Sequence, residues 1–205
     1  MKKLNAADEA QIARNQWDRY IRARDNGHLD YIDMAKRCDA FYRGEQWDEA
    51  DIAQLDSEGR PALTINTILP TVNTVLAEQT SRRADVQFKP RRGGEQATAD
   101  TLTKLYMQLG DANKLDWVES QVFSDGLIAD RGYFDVRMDF DDHIEGEVRI
   151  KAKDPLDILI DPDAKEWDPK TWNEVFETKW MSVDEIEEVY GLKMADRLRM
   201  IAENG

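Results

Sequence analysis

The chain has 205 residues, enough for one good core or two small ones. Hydrophobic residues make up 41% and charged residues 34%, and no unbroken apolar run exceeds four residues even with glycine counted, so no stretch is long enough to span a bilayer. The formal net charge is -14, which makes the bulk surface repel nucleic acid rather than coat it.

The N-terminus, MKKLNAADEAQ, has two lysines with no apolar core behind them and does not read as a secretory signal. Cys38 is the only cysteine, which rules out an intrachain disulfide and fits a reducing compartment. Neither His28 nor His143 has a spacing that makes it a base for a thiolate, so Cys38 reads as a buried bystander on a helix face.

In chain order, residues 6–25 predict a helix, stopped by Asn26-Gly27. A second helix is expected from about Leu29 to Tyr42, with Gly44 as its terminator and Trp47 folded back on its last turn. Residues 48–55 read as a short helix and 57–61 as a turn. Residues 62–65 read as extended. Asn66 is placed to cap the helix that follows, and Pro70 to sit in its first turn. Leu69, Val72, Val75 and Leu76 give that helix the strongest apolar stripe of this half of the chain, which predicts burial, with Asn73 off the stripe. Residues 85–89 alternate as a strand does, broken by Pro90 and Gly93-Gly94. Helices resume at about 95–109 and 115–130.

The period then changes to two. Phe134, Val136, Met138 and Phe140 alternate, Asp141-Asp142-His143 reads as a turn, and Val148 and Ile150 are expected to point inward, so an antiparallel hairpin is the clearest motif in the sequence. Further strands are expected at 156–160 and 175–180. Ser182 and Glu185 form a capping-box pattern before a short helix ending at Tyr190-Gly191, and a last helix is expected over 193–203. The order predicts an α+β fold: N-terminal helices, a long apolar helix, then an antiparallel sheet with short C-terminal helices. The expected division is a helical region at 1–60 and an α+β region at 61–205.

Candidate chemistry is sparse. No glycine-rich phosphate loop, HExxH, CxxC or GxSxG pattern occurs, and two histidines with one cysteine leave no basis for a histidine or thiolate zinc site. The loop DPDAKEWD carries Asp161, Asp163, Glu166 and Asp168. Oxygen ligands at alternate positions suit a hard cation, but the spacing is not that of an EF-hand, and Asp-Pro turns explain the same residues. A second acidic group, Asp139, Asp141, Asp142, Glu145 and Glu147, reads as a solvated hairpin tip. Charge is uneven: residues 115–205 hold 24 acidic against 11 basic side chains, whereas 82–92 hold five basic and one acidic. In that run Arg82, Arg83, Arg91 and Arg92, with Lys89, read either as a solvated flank or as contacts to phosphate or an acidic partner. Phe88 is the only aromatic there, which argues against a single-strand stacking platform. Among the six tryptophans, Trp167 and Trp172 lie in loop-like sequence and are candidate interface or anchor residues. Phe41, Tyr42 and Trp47, crowded into FYRGEQW, are candidate anchors at a helix end.

The same element begins an ordered series. Phe41, Tyr42, Gly44, Gln46 and Trp47 are followed by a short acidic stretch. Arg60, Pro61, Leu63, Thr64 and Asn66 then lead into an apolar helix, and Arg82 and Arg83 precede Val86 and Pro90. This order, with the later DPLDILIDPDAK, resembles the N-terminal region of phage portal proteins, in particular the large P22-like family of short-tailed phages. The resemblance spans most of residues 15–190. It implies a structural subunit rather than an enzyme, with no cofactor, belonging largely to the outer wing. It also implies a homo-oligomeric ring, typically of about twelve subunits, at one capsid vertex. Double-stranded DNA passes through such a ring during packaging and ejection. The partners it implies are the terminase motor, the major capsid or scaffolding protein, and tail or head-completion proteins, with no membrane. The location it implies is the virion, with assembly in the host cytoplasm. Family members are usually much longer, so the chain is expected to be incomplete at residue 205. The residues read without the resemblance leave two alternatives: a metal-dependent hydrolase using Asp161, Asp163 and Asp168, or a nucleic-acid-binding module using Arg82–Arg92.

Overall fold

Helical periodicity and glycine placement set the first third of the molecule. In the computed structural model, which describes residues 6–140, 144–166 and 168–203, helix α1 (Ala6–Ala23) runs through a kinked link at Arg24–His28 into α2 (Leu29–Arg43). The predicted stop is a bend rather than a break: Asn26 and Gly27 leave helical geometry, with Gly27 at φ 121°, and the helix then resumes. Helix α2 ends where expected. Gly44 adopts φ 91°, its N–H donates to the Phe41 carbonyl, and the Glu45 N–H donates to that of Ala40, a Schellman closure that only glycine makes cheaply.

Helices α3 (Glu49–Ser57), α4 (Ile68–Ser81), α5 (Gln96–Asn113) and α6 (Leu115–Ala129) follow. Asn66 caps α4 as expected: its Oδ1 accepts the N–H groups of Ile68 and Leu69, both at 3.1 Å. Helices α2, α4 and α6 pack together, and α5 lies on α6. Two expectations fail here. Helix α4 is not buried: only Val72 and Leu76 of its stripe are half covered by its neighbours, while Leu69 and Val75 are about 40% exposed. Residues 85–89 form no strand, because no other segment among the described residues pairs with them.

The hairpin forms in the expected register. Strands β1 (Tyr133–Asp139) and β2 (Glu147–Lys153) are antiparallel, with Phe134 opposite Ala152, Val136 opposite Ile150 and Met138 opposite Val148. The expected turn at Asp141-Asp142-His143 lies outside the described residues. Gly132 fixes how the hairpin leaves α6: a Cβ there would collide with the Val122 carbonyl oxygen, so the chain passes against the α6 backbone only because it has no side chain. The later strands do not join this hairpin. β3 (Ile158–Ile160) and β4 (Val175–Glu177) make their own two-stranded antiparallel ribbon. The fold is α+β, with two small ribbons in place of one sheet.

The ribbon β3–β4 is tied to α1 and the kink. Tyr20 meets Phe176 edge-on with ring centroids 5.8 Å apart, Arg19 ion-pairs with Glu174, and Arg22 with Asp163. The capping box appears at α7 (Val183–Tyr190), where the Ser182 N–H donates to Glu185 Oε2 at 2.7 Å and the Glu185 N–H to Ser182 Oγ at 3.2 Å. Helix α8 (Leu192–Glu203) pairs with α7 through Arg199, whose Nη2 lies 3.1 Å from Glu187.

The core is thin. Among the described residues the buried apolar side chains are Ala23, Tyr31, Ala35, Ala99, Val118, Val122, Ile158 and Leu159. The chain exposes 16609 Å². A compact monomer of 23.7 kDa is expected to expose about 9,800 Å². The excess is several times the roughly 1,600 Å² buried by a standard protein–protein interface.

Candidate assembly surfaces

FYRGEQW fastens the end of α2 to the start of α4. The Asn66 Nδ2 donates to the Tyr42 carbonyl at 2.8 Å, and the Tyr42 hydroxyl donates to Asn73 Oδ1 at 3.0 Å. The Trp47 indole N–H donates to the Leu63 carbonyl at 3.3 Å, which ties it to the segment before α4. Phe41 receives the Arg37 guanidinium over its ring at 5.7 Å and lines an apolar groove with Ile68, Val72, Leu127 and Ile128. Cys38 borders this groove and is exposed, not buried as the sequence suggested, because the α2 face it occupies is left uncovered.

The acidic loop is a set of turn clasps. Asp161 is 4% exposed. Its Oδ1 accepts the Asp163 N–H, and its Oδ2 accepts the backbone N–H and the side-chain Nδ2 of Asn173, all at 2.9 Å. These donors, led by the Asn173 backbone N–H, hold its carboxyl below the ordinary carboxylate range. Asp163 is turned to Arg22, and Asp168 accepts the Lys170 N–H at 3.0 Å to start a short turn at Pro169–Thr171. The three carboxylates therefore serve three separate partners, and among the described residues no cluster of three or more His, Cys, Asp or Glu side chains is arranged to hold a metal ion. Trp172 is half buried and donates from Nε1 to the Glu166 carbonyl at 2.7 Å, closing the same loop. Trp167 lies outside the described residues.

The basic run divides in two. Arg82 ion-pairs with Glu78. Arg83 Nη2 donates to the Asp116 carbonyl and to Ser120 Oγ, each at 2.7 Å, which pins the segment to the first turns of α6. Lys89, Arg91 and Arg92 are exposed and make no ion pair among the described residues. Phe88 meets Tyr106 of α5 edge-on at 6.2 Å.

Several exposed apolar side chains give no sign of their exposure in the sequence. Phe134, Val136 and Met138 alternate as a strand should, yet they are 50%, 64% and 50% exposed, because α5 and α6 cover the β2 half of the hairpin face more than the β1 half. Ile65 is 87% and Trp180 97% exposed, and Trp117 stands out from α6. An alternating apolar row signals a face that is covered in some context, but not whether the same chain supplies the cover.

The chain thus combines a thin core and exposed apolar side chains with an acidic loop whose carboxylates serve as turn clasps. The family model for phage P22-like portal proteins matches residues 17–205, nearly the whole chain, and the chain belongs to that family. No curated protein matches it. As a portal-family member it is a non-enzymatic structural protein of the virion, with a role in DNA packaging and ejection and in connecting head to tail, and it works in an oligomeric ring. No helix among the described residues is long and apolar enough to cross a membrane.

Proposed function

We propose that this chain supplies wing-like surface to a portal ring of about twelve copies, and that its uncovered apolar faces are subunit contacts. The observation that carries this reading is the excess of exposed surface over that of a compact monomer of equal mass. Apolar side chains such as Phe134, Val136, Met138 and Trp180 form part of that open surface, and such exposure marks surfaces that other protein covers. The helical region at 1–60 and the α+β region from residue 61 act together, with Phe41, Tyr42 and Trp47 anchoring the helix end to the region that follows and Trp172 anchoring the acidic loop. Arg82, Arg83, Arg91 and Arg92 are assigned to phosphate or to an acidic partner surface, with Arg91 and Arg92 the better placed of the four because their side chains are not engaged. The terminase motor, the capsid or scaffolding protein, and tail or head-completion proteins are the partners this role requires.

Native mass measurement and negative-stain imaging of the full-length gene product test the reading. A closed ring of about twelve copies is expected. A stable monomer at micromolar concentration contradicts it.

A further inference from the structure

Among the described residues the outer edge of β1 is left open, and the strand-patterned segment 84–90 pairs with no strand. We propose that residues 84–92 of one copy dock along the free edge of β1 in the next copy, with Lys89, Arg91 and Arg92 against the acidic end of the hairpin. This rests on the reading of the chain as a ring subunit and names the contact that would close the ring.

The edge is defined by Asn113. Its Nδ2 donates to the Val148 carbonyl and its Oδ1 accepts the Ile150 N–H, both at 2.9 Å, so one side-chain amide imitates a peptide unit and closes the outer edge of β2. Val148 and Ile150 thus point these groups away from β1. In an antiparallel ladder their partners Met138 and Val136 likewise point theirs away from β2, towards the open side. No backbone group of Phe134, Val136 or Met138 has a partner on that side among the described residues. An unpaired edge with an exposed apolar row is a template for strand addition.

The segment is its complement. Val86 and Phe88 alternate with polar residues, as in a strand, and are 44% and 40% exposed. From residue 84 to 90 its one backbone bond among the described residues is the Phe88 N–H to Thr103 Oγ1 at 3.1 Å, so most of its donors and acceptors have no partner there. Charge sets the direction. Lys89, Arg91 and Arg92 have no ion partner among the described residues, whereas the hairpin end carries Asp139, Glu145 and Glu147 beside Arg149. Segment and edge lie in one chain and do not pair with each other there. A contact between two different surfaces repeats head to tail and closes into a ring, whereas a self-complementary patch stops at a dimer.

Cys38 is the sole cysteine of these 205 residues, so disulfide trapping uses chains in which Cys38 and any cysteine outside them are replaced by serine. In full-length chains carrying Cys38→Ser, one preparation receives Val86→Cys and another Val136→Cys. The two are mixed, assembled, and oxidised with copper phenanthroline. Cross-linked pairs are expected from the mixture and not from either chain alone. In parallel, Arg91→Glu with Arg92→Glu is expected to lower the assembled fraction at least about tenfold, and Glu145→Lys with Glu147→Lys to restore it. Assembly that leaves the mixture uncross-linked and ignores the charge reversal overturns this contact while the ring reading stands. A charge reversal that weakens binding to duplex DNA but leaves assembly and cross-linking unaffected also overturns it. A chain that stays monomeric overturns both.

Discussion

The side-chain amide of Asn66 joins two helices: it donates to the last-turn carbonyl of Tyr42 in α2 at 2.8 Å, and its oxygen accepts the first N–H groups of α4. Gly44 makes room for it, since a Cβ there would stand 3.3 Å from Asn66 Nδ2. Asn66→Ala removes a cap and an interhelical bond, each worth about 1 kcal/mol. Asn66→Asp keeps the cap acceptor and loses the donor. Urea unfolding is expected to show a loss of about 2 kcal/mol for the alanine variant and about half that for the aspartate.

Trp47 is tied by its indole N–H to the Leu63 carbonyl and remains 42% exposed. Trp47→Ala is expected to lower stability by about 1 to 2 kcal/mol, less than for a fully buried tryptophan. For a chain of this size that is a fall of several degrees in melting temperature. Equal melting temperatures for variant and parent would remove Trp47 from the account of the helix junction.

Gly132 lies where the hairpin leaves α6, against the Val122 carbonyl. Gly132→Ala forces the two backbones apart and is expected to cost at least about 2 kcal/mol, with broadened methyl or amide signals in β1 and α6. A neutral alanine variant would mean that the junction has slack it does not show.

His28 is buried, and its Nε2–H donates to the Leu156 carbonyl at 3.0 Å, leaving Nδ1 buried with no hydrogen-bond partner among the described residues. Burial lowers its pKa from the ordinary value of about 6.5, and the nearby Arg131 adds to this. Between its folded and unfolded pKa values the unfolded chain binds more protons. Stability is therefore full above about pH 6.5 and declines as pH falls from there towards the lower folded value. His28→Gln is expected to flatten that limb of the melting curve. Asp161, also depressed, contributes stability that is present above the ordinary carboxylate pKa and is lost as pH falls through its lower folded value, so Asp161→Asn should lower stability at neutral pH and make little difference in the strongly acid region. Since Asp161 is occupied by three N–H donors, millimolar Mg²⁺ or Ca²⁺ is expected to leave the melting temperature unchanged.

Much of the fold was legible because local chemistry decides it. Gly44, Asn66, Ser182 with Glu185, and the alternation across β1 and β2 each dictate a cap or a register from within a few residues. Asp161 was legible as a turn former, while its bonds to Asn173 depended on a contact twelve residues away. Two features were hidden for one reason. The stripe on α4 and the row Phe134, Val136 and Met138 have the periodicity of buried faces, but burial is a property of the assembly, and a single sequence does not say which chain provides the cover. Residues 85–89 alternate as a strand does but form none among the described residues, because alternation is local whereas a strand needs a partner edge that a single sequence does not name. Asn113 gave no signal at all, since a lone asparagine at a helix end is ordinarily a cap.

The central claim is that the apolar surface left open in the chain is closed by its neighbours in a ring. Hydroxyl-radical footprinting of the full-length protein, assembled and dissociated, measures this residue by residue. On assembly Phe134 and Met138, and at least one of Trp117 and Trp180, are expected to lose most of their oxidation, while Trp172, already engaged within the chain, changes little. Equal oxidation of all four exposed residues in the two states would contradict it.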